Sequence, residues 1–149
     1  MIVLASDHGG YALKENIKAR LTAAGYTIQD FGVHDAASAD YPDLVAPAAR
    51  AVAAGEGVRG ILVCTTGIGA SIAANKISGV RCALCTAPEM AELSRRHNDS
   101  NILALGAQNT DAATALALVD VWLKTEFDGG RHARRVDKIM ALEGAKSEQ

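Results

Sequence analysis

The chain has 149 residues, of which 49% are hydrophobic, 21% charged and 4% aromatic, a composition that fits one soluble domain and leaves little room for a second. Its 15 basic and 17 acidic residues give a net charge of −2 with no block of like charge, so neither nucleic acid nor an anionic membrane is an expected partner. A domain of this length buries roughly 68–70% of the surface its unfolded chain exposes, so it needs neither a disulfide framework nor a structural metal.

The cysteines, Cys64, Cys82 and Cys85, are an odd number without the second pair or clustered histidines of a zinc site, and they read as reduced thiols in a cytoplasmic protein. The apolar run from Ile2 to Ala5 is too short for a signal-peptide core, and no stretch approaches the roughly 20 apolar residues that span a bilayer.

Short β-rich runs alternate with longer segments of helical period, the pattern of βαβ crossovers. Ile2–Ser6 is the first predicted strand, unbroken and apolar as expected for burial on both faces, and Asp7-His8-Gly9-Gly10 follows as a turn. In the next helix Leu13, Ile17 and Leu21 face inward, Lys14, Glu15, Lys18 and Arg20 take the wet side, and Gly25 ends it. Tyr26–Phe31 is the second strand. Asp40-Tyr41-Pro42 then leads to a helix carrying Leu44, Ala48 and Val52, which ends at Gly55 and Gly57.

Gly60–Cys64, the third strand, runs into Thr65-Thr66-Gly67-Ile68-Gly69 and a short alanine-rich helix. Val80–Cys85 is the fourth strand; Pro88 opens a helix on which Met90, Leu93 and His97 share a face. Ile102–Leu105 is the fifth strand, and Asp111 caps a helix through Lys124 with Leu116, Val119 and Leu123 on its apolar stripe. After Asp128-Gly129-Gly130, a last helix begins near Arg131. Its stripe of Val136, Ile139, Met140 and Glu143 is too thin to be wrapped by its own domain, so it is expected to pack on another subunit. The sum is an α/β, three-layer Rossmann-like fold: a five-stranded parallel sheet flanked by helices, plus a C-terminal dimerisation helix.

Ligands of an open parallel sheet bind beyond the carboxyl ends of its strands. That rule places Asp7, His8, Tyr41, the loop from Cys64 to Gly69, Thr86 and Gly106 to Gln108 on one rim. Ile72 stands where a dinucleotide fingerprint needs its third glycine, and no lysine completes a phosphate loop, so nicotinamide and nucleotide binding are disfavoured. The amides of Gly67, Ile68 and Gly69 form either a small anion nest or simply a tight strand-to-helix turn. Amide donors of this kind favour a thiolate, so Cys64 is either a base or a space-filling strand end, while Cys82 and Cys85 read as structural. His97 is either a helix-end cap or an acid–base group facing the rim, with Asn98 beside it as a donor. Arg131 and Arg135, four apart with His132 and Arg134 beside them, suit an anionic ligand.

The segments Ser6-Asp7-His8-Gly9-Gly10, Asp40-Tyr41-Pro42, Cys64-Thr65-Thr66-Gly67-Ile68-Gly69, Ala73-Ala74-Asn75-Lys76, Ser94 to Asn101 and Gly129-Gly130-Arg131-His132 with Arg135 keep the order of a known family nearly end to end. The chain resembles the sugar-phosphate isomerase family of ribose-5-phosphate isomerase B and the galactose-6-phosphate isomerase subunits. The resemblance implies one isomerase domain over residues 1–149, with no cofactor and no metal, interconverting ribose 5-phosphate and ribulose 5-phosphate through a cis-enediolate. Cys64 would be the base, His97 would assist ring opening and Thr66 proton delivery. The amides of Thr65, Thr66, Gly67, Ile68 and Gly69 with Asn98 would hold the enediolate oxygens. Asp7, His8 and Tyr41 would contact the sugar, and Arg131 and Arg135 would clamp the phosphate.

The resemblance also implies a homodimer or homotetramer whose site is completed across subunits. Many relatives carry glycine at the position of Thr65 and arginine at that of Gln108, which keeps open an isomerase of another phosphorylated aldose, a tetrose or a hexose. A phosphosugar-binding module without turnover is the remaining alternative.

Overall fold

The computed structural model describes residues 1–55 and 59–146; the expected helix-ending Gly57 lies outside them. Five parallel strands form one sheet: β1 (Ile2–Ser6), β2 (Ile28–Asp30), β3 (Arg59–Cys64), β4 (Cys82–Leu84) and β5 (Ile102–Gly106). Their order is β2-β1-β3-β5-β4, which makes β2 and β4 the edges. The helices are α1 (Tyr11–Ala23), α2 (Tyr41–Ala53), α3 (Ile68–Ala74), α4 (Pro88–Asn98), α5 (Ala112–Lys124) and α6 (Arg131–Lys146), with a short 3-10 turn over His8–Gly10.

Right-handed crossovers put a helix on one face when the chain steps one way across the sheet and on the other when it steps back. Hence α1, α4 and α5 cover one face around Leu4, Ile61, Leu103 and Trp122. On the other, α2 and α3 pack over Val3, Leu62 and Ile102. Residues β1, β3 and β5 contribute to these two clusters are almost wholly buried, whereas β2 and β4 are half-buried, as edges are. Both edge strands are shorter than expected from the sequence: β2 pairs with β1 only over Ile28–Asp30 and β4 with β5 only over Cys82–Leu84.

Two expectations about faces need correcting. On α5 the core face is Ala115, Leu118, Val119 and Trp122, leaving Leu116 and Leu123 at its margin. The Trp122 indole donates to Ser100 Oγ at 2.8 Å, a buried bond that fixes the rotation of the helix. Lys14 is not on the wet side but fully buried. Its ammonium donates to both oxygens of Asp30, at 2.8 and 2.7 Å, and to the Val33 carbonyl at 2.7 Å, which ties α1 to the end of β2.

Burial opposes ionisation of Asp30, yet hydrogen bonds from Lys14, the Gly32 amide and Lys18 outweigh it and hold the carboxyl below the usual aspartate range. A carboxyl depressed in the folded state contributes stability above its unfolded pKa and loses it as pH falls through the folded value. The difference in urea midpoint between the parent protein and Asp30→Asn should therefore be constant near neutrality and shrink below about pH 4. A difference that grows on acidification would contradict the assignment.

Besides Met1, Tyr26 and Tyr41, the exposed large apolar residues are carried by α3, α4 and α6. Met90, Leu93 and His97 do share a face of α4, and it is the outward one; Ala91, Ser94 and Arg95 point inward. Ile68 and Ile72 on α3 and Ile139 and Leu142 on α6 are also exposed. Only Val136 of the α6 stripe is buried, and Glu143 is instead an acceptor for the Gly79 amide at 2.8 Å. No helix among the described residues is long and apolar enough to cross a membrane.

Candidate active site

The carboxyl ends of β1 and β3 are neighbours, and β1 is where the strand order reverses, so the loops leaving them part there and open a crevice. Asp7 caps the turn after β1 by accepting from the Gly10 amide at 3.0 Å, which presents His8 outward. His8 Nδ1 in turn accepts from the Ala39 amide at 3.2 Å, pinning the loop that leads to Tyr41 at the first turn of α2. Asp7, His8, Asp40, Tyr41 and Asp43 line a cavity of about 460 Å³, within the size range of small-molecule sites.

The β3 loop adjoins this cavity through Tyr41. Cys64 is only 4% exposed, and its Sγ accepts from the Gly67 amide at 3.1 Å, so the sulfur faces the glycine bend. That bend requires glycine: Gly67 has φ +78°, and a Cβ there would press on the Leu84 side chain and on backbone of Leu105 and Gly106. Thr66 Oγ1 accepts from the Ile68 amide at 3.3 Å, leaving its own proton free to donate outward. The Tyr41 ring lies over Gly69, where a side chain would displace it.

Thr65 leans its hydroxyl into the space beside Gly9, joining the β1 turn to the β3 loop. Amides of Ala107 and Gln108 donate to the carbonyls of Cys64 and Thr65, both at 2.9 Å, so the β5 loop braces the same rim. The amides expected to form an open anion nest are thus partly used within the chain, the Gly67 donor by sulfur and the Ile68 donor by Thr66. Gly69, in the first turn of α3, has an N–H with no intrahelical acceptor.

The other candidates form a second cluster. Since α4 starts beside the carboxyl end of β4 and runs back about 16 Å antiparallel to the strands, its last residues, His97 and Asn98, lie at the amino edge of the sheet. His97 therefore does not face the rim of its own chain. It stacks on His132 with ring centroids 4.2 Å apart and planes 10° from parallel. The Asp128 amide donates to the Arg96 carbonyl at 3.0 Å, which brings the start of α6, with exposed Arg131 and Arg135, against the end of α4.

The role of His132 as the partner of His97 was not visible in sequence, because the contact joins two helices far apart in the chain. Partial desolvation, together with repulsion from His97, Arg131 and Arg135, holds His132 below the ordinary histidine pKa. His97, Asp128 and His132 each offer one ligand atom within 4.8 Å of the others. Guanidinium groups of Arg96, Arg131 and Arg135 surround them, so the local charge suits an anion rather than a metal cation.

Of the cysteines, only Cys64 meets a donor loop. Burial pushes the Cys82 thiol up strongly and that of Cys85 to about 11, so both remain protonated near neutrality, as expected of structural residues.

Residues 2–139 match the family model described as Ribose/Galactose Isomerase. The chain is 44% identical over 142 residues to ribose-5-phosphate isomerase B of Escherichia coli, covering 95% of each protein. A solved ribose-5-phosphate isomerase B from Clostridium thermocellum is 53% identical and superposes with a TM-score of 0.96 over 97% of this chain and 98% of that one. The enzyme from Mycoplasma genitalium, solved with ribulose 5-phosphate bound, is 39% identical with a TM-score of 0.92 over 96% and 95% of the two chains. Sheet order, crevice and sulfur-bearing loop all lie within these near full-length matches, and the chain belongs to the ribose/galactose isomerase family.

Proposed function

We propose that this protein interconverts ribose 5-phosphate and ribulose 5-phosphate, with Cys64 as the base and with each site assembled from two copies of the chain. The observation that carries the reading is the Cys64 sulfur, held by the Gly67 amide at the end of a buried strand, in a loop whose Gly69 lies against the crevice-lining Tyr41 ring. The Gly67 N–H is aimed at the sulfur, and near-complete burial keeps bulk water from it.

In the open-chain aldose the thiolate removes the C2 proton. The electrons of that bond form the C1–C2 double bond, and O1 takes the charge. Transfer of the O2 proton to O1, with Thr66 as relay, and return of a proton to C1 complete the ketose. A proton beside a carbonyl is a weak acid, so the enediolate itself must be stabilised. One preorganised donor contributes roughly 2.7–4 kcal/mol to such an oxyanion, and the remaining amides of Thr65 to Gly69 together with Asn98 supply several. Asp7, His8 and Tyr41 hold the sugar hydroxyls. Arg131 and Arg135 clamp the phosphate, supplying positioning energy remote from the reacting carbons.

His97, Asn98 and the two arginines lie at the amino ends of the strands, whereas Cys64 lies at the carboxyl end of β3, so they serve the Cys64 loop of a second copy. The apolar faces support this arrangement. Ile68 and Ile72 run along α3 from the sulfur-bearing loop, while Met90 and Leu93 run along α4 towards His97. A two-fold axis across the β4 edge would pair these stripes head to tail, bringing each His97 to the other copy's rim and covering Ile139 and Leu142. His97 then moves the proton that opens the furanose, from the anomeric hydroxyl to the ring oxygen.

The test is incubation with four-, five- and six-carbon aldose phosphates in deuterated water, followed by NMR. Ribose 5-phosphate should turn over fastest, with solvent deuterium entering at the carbon next to the carbonyl. Faster turnover of a hexose 6-phosphate would reassign the substrate, and binding without label would leave only a phosphosugar-binding module.

A further inference from the structure

We propose that Asp99, gripped by Arg81 and Arg95, is a positioning residue that fixes the orientation of His97 for ring opening; this rests on the role given to His97 above. The geometry of the α4 terminus points to it. Asp99 follows Asn98 directly and adopts the left-handed conformation, φ +47° and ψ +44°, the one positive φ at a non-glycine position among the described residues. Aspartate tolerates that region better than most residues, but glycine is the ordinary choice for it at a helix end. This chain uses glycine in that way elsewhere: α1 and α2 stop at Gly25 and Gly55, with φ +91° and +81°. Stopping α4 therefore does not explain the carboxylate.

What the carboxylate adds is a grip from two directions. Arg95 Nη1 donates to Asp99 Oδ1 at 2.8 Å, while Arg81 Nη2 stands 3.6 Å from Oδ2. Arg81 also donates to backbone, from Nη2 and Nε to the Asp99 carbonyl at 2.8 and 3.2 Å and from Nε to the Asn98 carbonyl at 3.1 Å. Each arginine is itself anchored in a different element. Arg95 is 5% exposed and donates to the carbonyls of Ser100 and Thr125 at 2.6 and 3.2 Å. The Arg81 amide donates to Asn101 Oδ1 at 2.7 Å, at the start of the β4 edge.

The last carbonyls of a helix have no intrahelical donor, and its final turn frays unless they are held. Here that turn carries the two residues proposed to reach a second copy. Arg81 and Asn98 also line one cavity with Ile139, at the edge where that copy would seat. Loss of the grip would let His97 swing while leaving the Cys64 loop, at the carboxyl end of β3, intact.

The two substrates separate these effects. Ribose 5-phosphate is a ring that must open, whereas phosphorylation of O5 leaves ribulose 5-phosphate without a furanose, so exchange of its C1 proton with solvent needs the base but no ring opening. Asp99→Gly keeps the left-handed turn and removes the carboxylate. It should lower kcat for ribose 5-phosphate about 10-fold to 100-fold, with KM and the C1 exchange of ribulose 5-phosphate changed less than about twofold. Asp99→Asn, which retains an acceptor for one arginine, should recover part of the loss. Melting temperature and oligomeric state are measured alongside, and His97→Asn is the reference, expected to show the same split between the two assays. Full activity of Asp99→Gly, or equal loss in both assays while His97→Asn shows the split, overturns the positioning role alone. Equal loss in both assays for His97→Asn itself overturns the ring-opening role and this inference with it.

Discussion

Replacing Cys64 with alanine should abolish isomerisation and leave binding nearly intact. A positioned base contributes about 10²-fold to 10⁴-fold; within the loop the Thr66 hydroxyl is far too weak a base to replace the sulfur, and His8 is engaged by the Ala39 amide. Solvent-exchange NMR with ribulose 5-phosphate would read the loss at the proton-transfer step. Titration with ribitol 5-phosphate, which has no carbonyl and cannot turn over, would show affinity within about threefold of the parent, because the phosphate and hydroxyl contacts do not involve sulfur. Cys82→Ala is the control. Its thiol is held protonated by burial on the edge strand, and its loss should leave kcat unchanged. Proton exchange persisting in Cys64→Ala would remove the sulfur from the chemistry.

The residues of that rim were legible in the sequence because their cause is local. A glycine bend after an apolar strand marks where backbone turns sharply, and the rule that parallel strands point their carboxyl ends at ligand gathers Asp7, His8, Tyr41 and the Cys64 loop without any knowledge of contacts. Where the cause is distant, the pattern misleads. Lys14 falls among polar helix positions, yet Asp30 and the Val33 carbonyl draw it inside. The stripe of Met90, Leu93 and His97 is visible as a stripe, but helical periodicity does not say whether it meets its own sheet or something else. Inward-facing Ala91, Ser94 and Arg95 carry less apolar surface than the outward face, an inversion explained by the buried network of Ser94, Ser100 and Trp122. The location of His97 is topological: one crossover per strand sends the end of every such helix to the amino edge, away from the strand-end loops.

That same topology yields the second large effect, obtained by mixing two inactive proteins. Cys64→Ala and His97→Asn, each alone, should be inactive on ribose 5-phosphate. Co-expressed with different affinity tags and purified through both, the hybrid dimer contains one site lacking both groups and one site in which the intact Cys64 of one chain faces the intact His97 of the other. It should recover about half the parent activity per dimer, since one of two symmetric sites is whole. If both groups served a site within a single chain, every site in the hybrid would lack one of them and activity would stay at the background of the single variants. The two arrangements thus differ by an all-or-none outcome, and the measurement requires no knowledge of how tightly the copies associate. Loss of recovery when Ile72→Glu is added to both chains would place the exposed α3 stripe in the contact that brings the two halves together.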